Sequence, residues 1–470
     1  MPTQRQAKDT HHKALDVNLD ARVYGSIAEI GAGQETARWF FRVGGAAGTL
    51  AKTMSAYDMK FSDAIYGPAP RYVSRERLQA MLNHEFELVV ERLDAARGAE
   101  SAFFAFANTV AARSYSRKED GQGWLGIRFQ TAPRAEPSQI VVHVHLMGKK
   151  SLQDQESLGV LGVNLIHGAL YLHDRPEALL ESLIDNLYPE LVEIDMIDFQ
   201  GPAFAGVDNR LMALRLVQKG LAPAAMFLAD GRAVYPADAL YKKAVLVERS
   251  RFRPPTHLNI RMLACARAQF IAEREVRADE VFVLSEMTLN NLMDGGDIDV
   301  RDFLHRTEIL CALGKNVLIS NLGEYYRLAA YLFRYTQRPT GVAMGVPTLK
   351  EIFDEKYYTH LPGGILESFG RLFKYDLRLY VSPCLGDRCG DLTTVENFQP
   401  APHLRHLYAY LYDNGFIKGL NGIEPDLLHI YSQEVLRKIR CGEPDWESLV
   451  PEEVARMIRE RHLFGCGEPC

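Results

Sequence analysis

The chain has 470 residues, 47% of them hydrophobic and 24% charged, with 36 Gly, 22 Pro and a formal net charge of −6. Those proportions exclude collagen-like, low-complexity and disordered chains, and at about 100–200 residues per domain the length suits two or three domains with cores of their own. A slightly acidic protein has no general attraction for nucleic acid or for an anionic membrane, so neither is expected as a partner.

Residues 1–20 read as a flexible polar arm. With Gln4, Lys8, His11 and Asp16 it lacks the apolar core of a secretion signal, and no apolar run approaches the roughly 18 residues that a bilayer span needs, so a cytoplasmic location is expected. Residues 21–185 read as an N-terminal α+β module. In it Ser74 can cap an amphipathic helix in which Leu78, Met81, Leu82, Phe86 and Val89 recur at helical spacing. Apolar runs at 124–129 and 140–147 flank a loop with Pro133 and Pro137, the pattern of a strand pair.

Residues 186–383 carry the clearest pattern. Short apolar runs at 191–199, 225–230, 244–248, 281–287, 316–320, 341–346 and 377–381 alternate with amphipathic helical segments. Strand, helix, strand repetition predicts an α/β core with a mostly parallel sheet. Periodicity alone does not separate an irregular α/β barrel from an open doubly wound sheet, and of the two the barrel is favoured. Residues 384–470 read as short helices forming a C-terminal helical cap.

In parallel α/β folds ligands sit at the carboxyl ends of the strands. That rule selects Asp195, Asp198, Asp230, Glu248, Arg249, Glu286, Ser320, Asn321 and Gly345. Carboxylates, an arginine, a hydroxyl and an amide on one rim suit a polar, phosphorylated small molecule. Near the amino terminus, Gly44, Gly45 and Gly48 followed by Lys52 form a second phosphate candidate, since glycines let backbone N–H groups approach an anion. It is not a Walker A loop, because Lys52 falls four residues after Gly48; a tight turn between packed elements is the plainer alternative.

His143 and His145 alternate on a strand and so share a face, the geometry of a two-histidine metal site, with His167, His173 or Asp174 as candidates for a third ligand. Cys384 and Cys389, then Cys466 and Cys470, make two short-spaced pairs that allow a four-thiolate zinc site if the tail folds back. Free thiols are the other reading, and no disulfide framework is expected. Arg113, Arg117, Lys118, Arg128 and Arg134 cluster around Tyr115 and Trp124, but Glu119 and Asp120 in their midst favour a solvated hairpin surface.

Segments 26–35, 51–58 and 349–358 resemble those of an uncharacterised bacterial family of similar length, and the resemblance spans nearly the whole chain. Some members carry the label nicotinate-nucleotide adenylyltransferase. That class uses a His-x-Gly-His phosphate motif, which this sequence lacks, so no catalytic residue carries over. Ser320 and Asn321 at a strand end, with Glu324 beyond, are similar to the corresponding strand end of nicotinate phosphoribosyltransferases, which implies a phosphoribosyl or nucleotide ligand on an α/β barrel.

These features together suggest a cytoplasmic, transferase-like enzyme acting on a small phosphorylated metabolite, a nucleotide or phosphoribosyl compound. In it Gly44, Gly45, Gly48 and Lys52 hold a phosphate, Glu286 and Asp198 supply acid–base or divalent-metal-holding carboxylates, and Arg249, Ser320 and Asn321 orient the substrate. A homo-oligomer is expected. The alternative is a non-catalytic homo-oligomeric or filament-forming scaffold, with Tyr357, Tyr358, Phe369, Phe373, Tyr408, Tyr410 and Tyr412 as its interface.

Overall fold

The computed structural model describes residues 7–113, 121–294, 296–386 and 390–467. The chain divides between Pro223 and Ala224 into two compact units. Among the described residues no helix is long and apolar enough to cross a membrane.

The first unit is built on a mixed six-stranded sheet of β1 (Val23–Gly31), β2 (Leu50–Ala56), β3 (Ala102–Ala111), β4 (Gly121–Phe129), β5 (Ser138–Leu146) and β6 (Val192–Gln200), in the order β2-β1-β3-β4-β5-β6. The first three strands run parallel and the others antiparallel. β3 is buried along nearly its whole length, and its first six residues are apolar, because both its faces are covered. Phe104 and Phe106 join the core under one face, whereas Phe103 and Ala105 pack against Phe86 and Val89 under the other.

Four helices of this unit matter below: α1 (Thr10–Leu19), α2 (Thr36–Val43), α3 (Met59–Tyr66) and α4 (Arg75–Arg97). The Ser74 hydroxyl accepts from Arg77 N–H at the start of α4, as its sequence implies. Residues 10–19 are not a loose arm: α1 buries Ala14, Val17 and even Lys13, whose Nζ sits 2.7 Å from Asp185 and donates to Asn164 Oδ1. Asn164 lies on α5 (Ser151–Tyr171).

The second unit holds an eight-stranded sheet made from β7 (Ala224–Phe227), β8 (Ala233–Val234), β9 (Ala244–Arg249), β10 (Val281–Thr288), β11 (Asn316–Ser320), β12 (Thr340–Gly345), β13 (Leu377–Ser382) and β14 (Ile417–Gly419). Their order is β14-β13-β12-β9-β10-β11-β7-β8, with β9 to β14 all parallel and β7 and β8 antiparallel at one end. The sheet is therefore open, with edges at β8 and β14, and the barrel expectation gives way to the doubly wound alternative. Beginning at β9 the chain steps outward through β10 to β11, then crosses back to lay β12 on the other side of β9 and continues to β14. This is the 3-2-1-4-5-6 order, whose topological switch point lies between β9 and β12.

The run at 191–199 belongs elsewhere: as β6 it pairs with β5 of the first unit. The tail carries the expected short helices and packs on the α/β core. Its strand β14 completes the sheet edge, and Leu404, Tyr408 and Leu411 share a core with β12 and β13. In that core Phe353 meets Phe369 at 5.0 Å and Tyr408 at 5.5 Å between ring centroids, so the buried Tyr358, Phe369 and Tyr408 are packing residues, unavailable to a subunit interface.

Candidate functional site

At the carboxyl ends of the parallel strands the second unit opens a cleft of about 560 Å³. Four of the parallel strands contribute residues at or beyond their ends. Arg249 ends β9, and Ser250, Arg251, Thr256 and Asn259 follow it; Thr288 ends β10, and Asn290 and Asn291 follow it; Gly323 and Tyr325 come after β11 and Thr348 and Glu351 after β12, while Ile430, Tyr431, Ser432 and Gln433 of the tail complete the wall. The lining is mostly polar, with Leu258 and Ile430 as apolar members and with an exposed arginine, Arg251, and an exposed carboxylate, Glu351, as its charged groups free of close burial.

Local chemistry explains how this rim is held. The segment after β9 carries arginines at 249, 251 and 253 before Thr256 caps α6 (His257–Ile271). Thr256 Oγ1 accepts from Asn259 N–H, and Asn259 Oδ1 accepts in return from Thr256 N–H, a reciprocal box that fixes the first helical turn. On α7 (Val300–Ala312), Arg306 donates to the Arg251 and Asn291 carbonyls at 3.2 and 2.9 Å and pairs with Asp302, which also accepts from Arg253 Nε. The loop backbone is thus pinned from below while the Arg251 side chain stays exposed.

Arg249, Glu286 and Ser320 are brought together, with only Arg249 lining the cleft. Arg249 grips Glu286 through Nε and Nη2 at 2.8 and 2.9 Å, Ser320 Oγ donates to Glu286 at 2.6 Å, and the guanidinium also donates to the Leu322 and Gly323 carbonyls. It lies 4.3 Å from the Tyr325 ring centroid. Burial disfavours the Arg249 charge, but the Glu286 carboxylate more than offsets this and holds the guanidinium above its ordinary pKa. Glu286 is fully buried and lies outside the cleft lining, so it anchors Arg249 instead of facing a substrate. Asn321 is exposed beside this group. Behind Asn259, burial pushes the Glu248 carboxyl up to about 8, opposed by a 2.7 Å hydrogen bond from Asn259 Nδ2.

Other expected members of the rim are elsewhere. Asp230 follows the antiparallel β7, which ends at the opposite side of the sheet, and it pairs with Arg232. Asp198 lies on β6 of the first unit, ion-paired with Arg75 and accepting from Gln200 and from Asn209 at 2.9 Å. Lys52 is on β2, 2.7 Å from the buried Glu85, which also accepts from Tyr66. Gly44 and Gly45 take φ of 82° and 79° to leave α2, and Asn18 Nδ2 ties down the Gly44 carbonyl at 2.7 Å. That is turn chemistry, with Lys52 engaged by a carboxylate. Residues missed by the sequence reading are Arg251, Thr256, Asn259 and Glu351; the alternating arginines ahead of a Thr-x-x-Asn cap were the available signal.

The two histidines also find a partner. His143 Nδ1 lies 2.6 Å and His145 Nε2 2.9 Å from the two oxygens of Asp195, and the three form a cluster of metal-ligating type. A β-bulge on β6 makes this possible: His143 opposes Met196 and Val144 opposes Ile194, so Asp195 is the extra residue, turned toward the histidine face. His167 instead approaches Asp16, and His173 Nδ1 contacts the Ala169 carbonyl, so neither is the third ligand. Burial opposes the Asp195 charge, but His143 and His145 hold its carboxyl far below the usual range.

Cys384 is disulfide-bonded, which removes it from a zinc–thiolate set, while Cys466 is a free thiol. Cys389 and Cys470, like Tyr115, Arg117 and Lys118 of the basic cluster, lie outside the described residues. Within that cluster Arg134 pairs with Asp94 and Arg128 donates to Asn83.

Fold and cleft together define the second unit as a doubly wound α/β domain with a polar switch-point site. No family model and no curated protein sequence matches the chain. Among solved structures it is similar to the competence/damage inducible protein CihA from Agrobacterium tumefaciens, at 14% identity and a TM-score of 0.25, over 34% of this chain and 94% of that one. It is also similar to a competence-damaged protein (CinA) superfamily protein from Enterobacter cloacae, at 12% identity and a TM-score of 0.25, over 36% of this chain and 98% of that one. Likeness at that level assigns no activity, and the chemistry has to come from the residues.

Proposed function

We propose that the second unit is the catalytic domain of an enzyme acting by group transfer on a small phosphorylated metabolite, a nucleotide or phosphoribosyl compound. The observation that carries this reading is the polar cleft at the strand-order switch point, where open α/β sheets take their ligands. Arg251 supplies a charge for the phosphate, reinforced by the N-terminus of α6, whose partial positive charge faces the same space. Arg249, held rigid by Glu286 and Ser320, adds a guanidinium edge with little ordering entropy left to lose. Thr288, Asn290 and Asn291 offer donors and acceptors for sugar hydroxyls. Glu351 on the opposite wall takes the acid–base or cation-holding role that the sequence reading gave to Glu286.

Thermal-shift titration of the full chain with phosphoribosyl pyrophosphate, mononucleotides and ATP tests this. A true ligand at about 100 times its dissociation constant adds about 2.7 kcal/mol of stability. Arg251→Ala should weaken the hit by roughly 10- to 100-fold, the worth of one hydrogen bond to a charged group, while the ligand-free melting temperature stays unchanged because that side chain is exposed. A flat response across all these compounds by well-folded protein would refute the proposal.

A further inference from the structure

We propose that His143, His145 and Asp195 of the first unit hold one divalent transition-metal ion of the zinc type, with a fourth position left open. The inference is independent of the cleft in the second unit.

Three observations carry it. The donor atoms all lie within 4.8 Å of one another, and β5 and β6 present them from adjacent rigid strands, with the bulge at Asp195 serving to bring the carboxylate round. A tetrahedral ion with bonds of about 2.0–2.1 Å holds its ligand atoms roughly 3.3 Å apart, so the 2.6 and 2.9 Å separations open by less than an ångström on binding while the widest separation in the set, within 4.8 Å, closes. Second, two oxygens face the two ring nitrogens of His143: Asp195 Oδ1 at Nδ1, and Gln122 Oε1 at Nε2, 3.1 Å away. A neutral imidazole has one N–H to give. An ion at Nδ1, with the N–H at Nε2 directed to Gln122, satisfies both sides, and Gln122 then orients the ligand as outer-shell partners of metal-bound histidines do. Third, Asp195 Oδ2 is buried and meets His145 Nε2 at 2.9 Å, so the second carboxylate oxygen also faces a ligating nitrogen. A carboxylate oxygen placed so is available as a ligand.

Two imidazoles and one carboxylate are borderline donors that favour zinc-like ions over calcium or magnesium. The donor set neutralises half of the ion's charge, so the open position should take water, hydroxide or an anionic ligand. His145 is the donor that reaches the surface, with 12% of its side chain exposed, and marks the way in. Trp124 stacks edge-on to His143 with 4.8 Å between ring centroids, which provides a fluorescent reporter.

The test is titration of the chelator-stripped full chain with Co²⁺ and then Zn²⁺. One equivalent of Co²⁺ should produce the visible bands of a four- or five-coordinate site and quench tryptophan fluorescence, and Zn²⁺ should reverse both. His145→Ala should abolish these signals, Gln122→Leu should weaken binding about 10- to 100-fold, and Cys466→Ser should change nothing. Absence of a stoichiometric signal in the wild type, or its persistence in His145→Ala, would overturn the proposal and leave a buried imidazolium–carboxylate cluster. Should His145→Ala fail to fold, X-ray absorption on the zinc-loaded wild type decides: two imidazoles without sulfur support the site, and a sulfur ligand overturns it.

Discussion

Removing the Glu286 carboxylate leaves the Arg249 guanidinium buried without its counter-charge, and breaking such a pair from one side costs about 3–5 kcal/mol. Glu286→Ala should therefore lower the denaturant midpoint of the protein, the reverse of the neutral effect expected of a solvent-facing catalytic carboxylate. Glu248 makes a pH-dependent counterpart. Its carboxyl titrates near 8 when folded against 4.5 ordinarily, so the folded state retains a proton that the unfolded chain has released. The stability this confers is complete below about pH 4.5 and is lost as pH rises through about 8. Glu248→Gln keeps an acceptor for Asn259 and has no proton to lose. Its melting temperature should gain on the wild type across that window, which a pH series of thermal melts will show. The strands that carry Arg249, Glu286 and Ser320 were legible because short apolar runs mark strands, whereas which of these side chains would face the cleft was not. Asp198 was misplaced for a physical reason: a buried apolar run looks the same whether it pairs in a parallel core or antiparallel in another sheet.

Two elements illustrate what local sequence does and does not carry. α6 begins with a reciprocal cap, so Thr256→Ala should cost about 1 kcal/mol and loosen the turn that positions Asn259 over the cleft. A fall in melting temperature accompanied by weaker ligand binding is the expected pair of readouts. The cap was visible in the sequence as Thr-x-x-Asn after two prolines. Helix α1 was invisible because the residues it buries include Lys13, Thr10 and Asn18, which break any apolar stripe. What seats them is distant in sequence: Asp185 and Asn164 for Lys13, the Phe40 and Gly44 carbonyls for Asn18. Lys13→Ala removes the cation that Asp185 meets in the interior and should destabilise the first unit by up to about 3–5 kcal/mol, measurable by chemical denaturation.

At the scale of the molecule, the repeated strand–helix pattern predicted a parallel α/β core, and one is present. Its closure was undetermined, because what separates a barrel from a doubly wound sheet is the direction in which β12 returns past β9, and no residue pattern encodes that crossing. In the tail the three helical patterns were legible and helices are present, while the short strand β14 among them was hidden by its length of three residues. Deleting residues beyond 400 would bare the β13 ladder and strip the core that Leu404, Tyr408, Leu411 and Ile417 complete. Amides in β12 and β13 should then lose protection in hydrogen exchange, whereas a dispensable cap would leave them unchanged.

Because β14 completes the sheet that β7 begins, the ribosome must add roughly 190 residues between the two, about 10–40 s of translation at about 5–20 residues per second. Throughout that interval the second unit exists as an incomplete nascent sheet with an unpaired border, while the first unit already has every strand it needs. Chaperone demand and aggregation risk during synthesis therefore fall on the half of the polypeptide that contains the cleft.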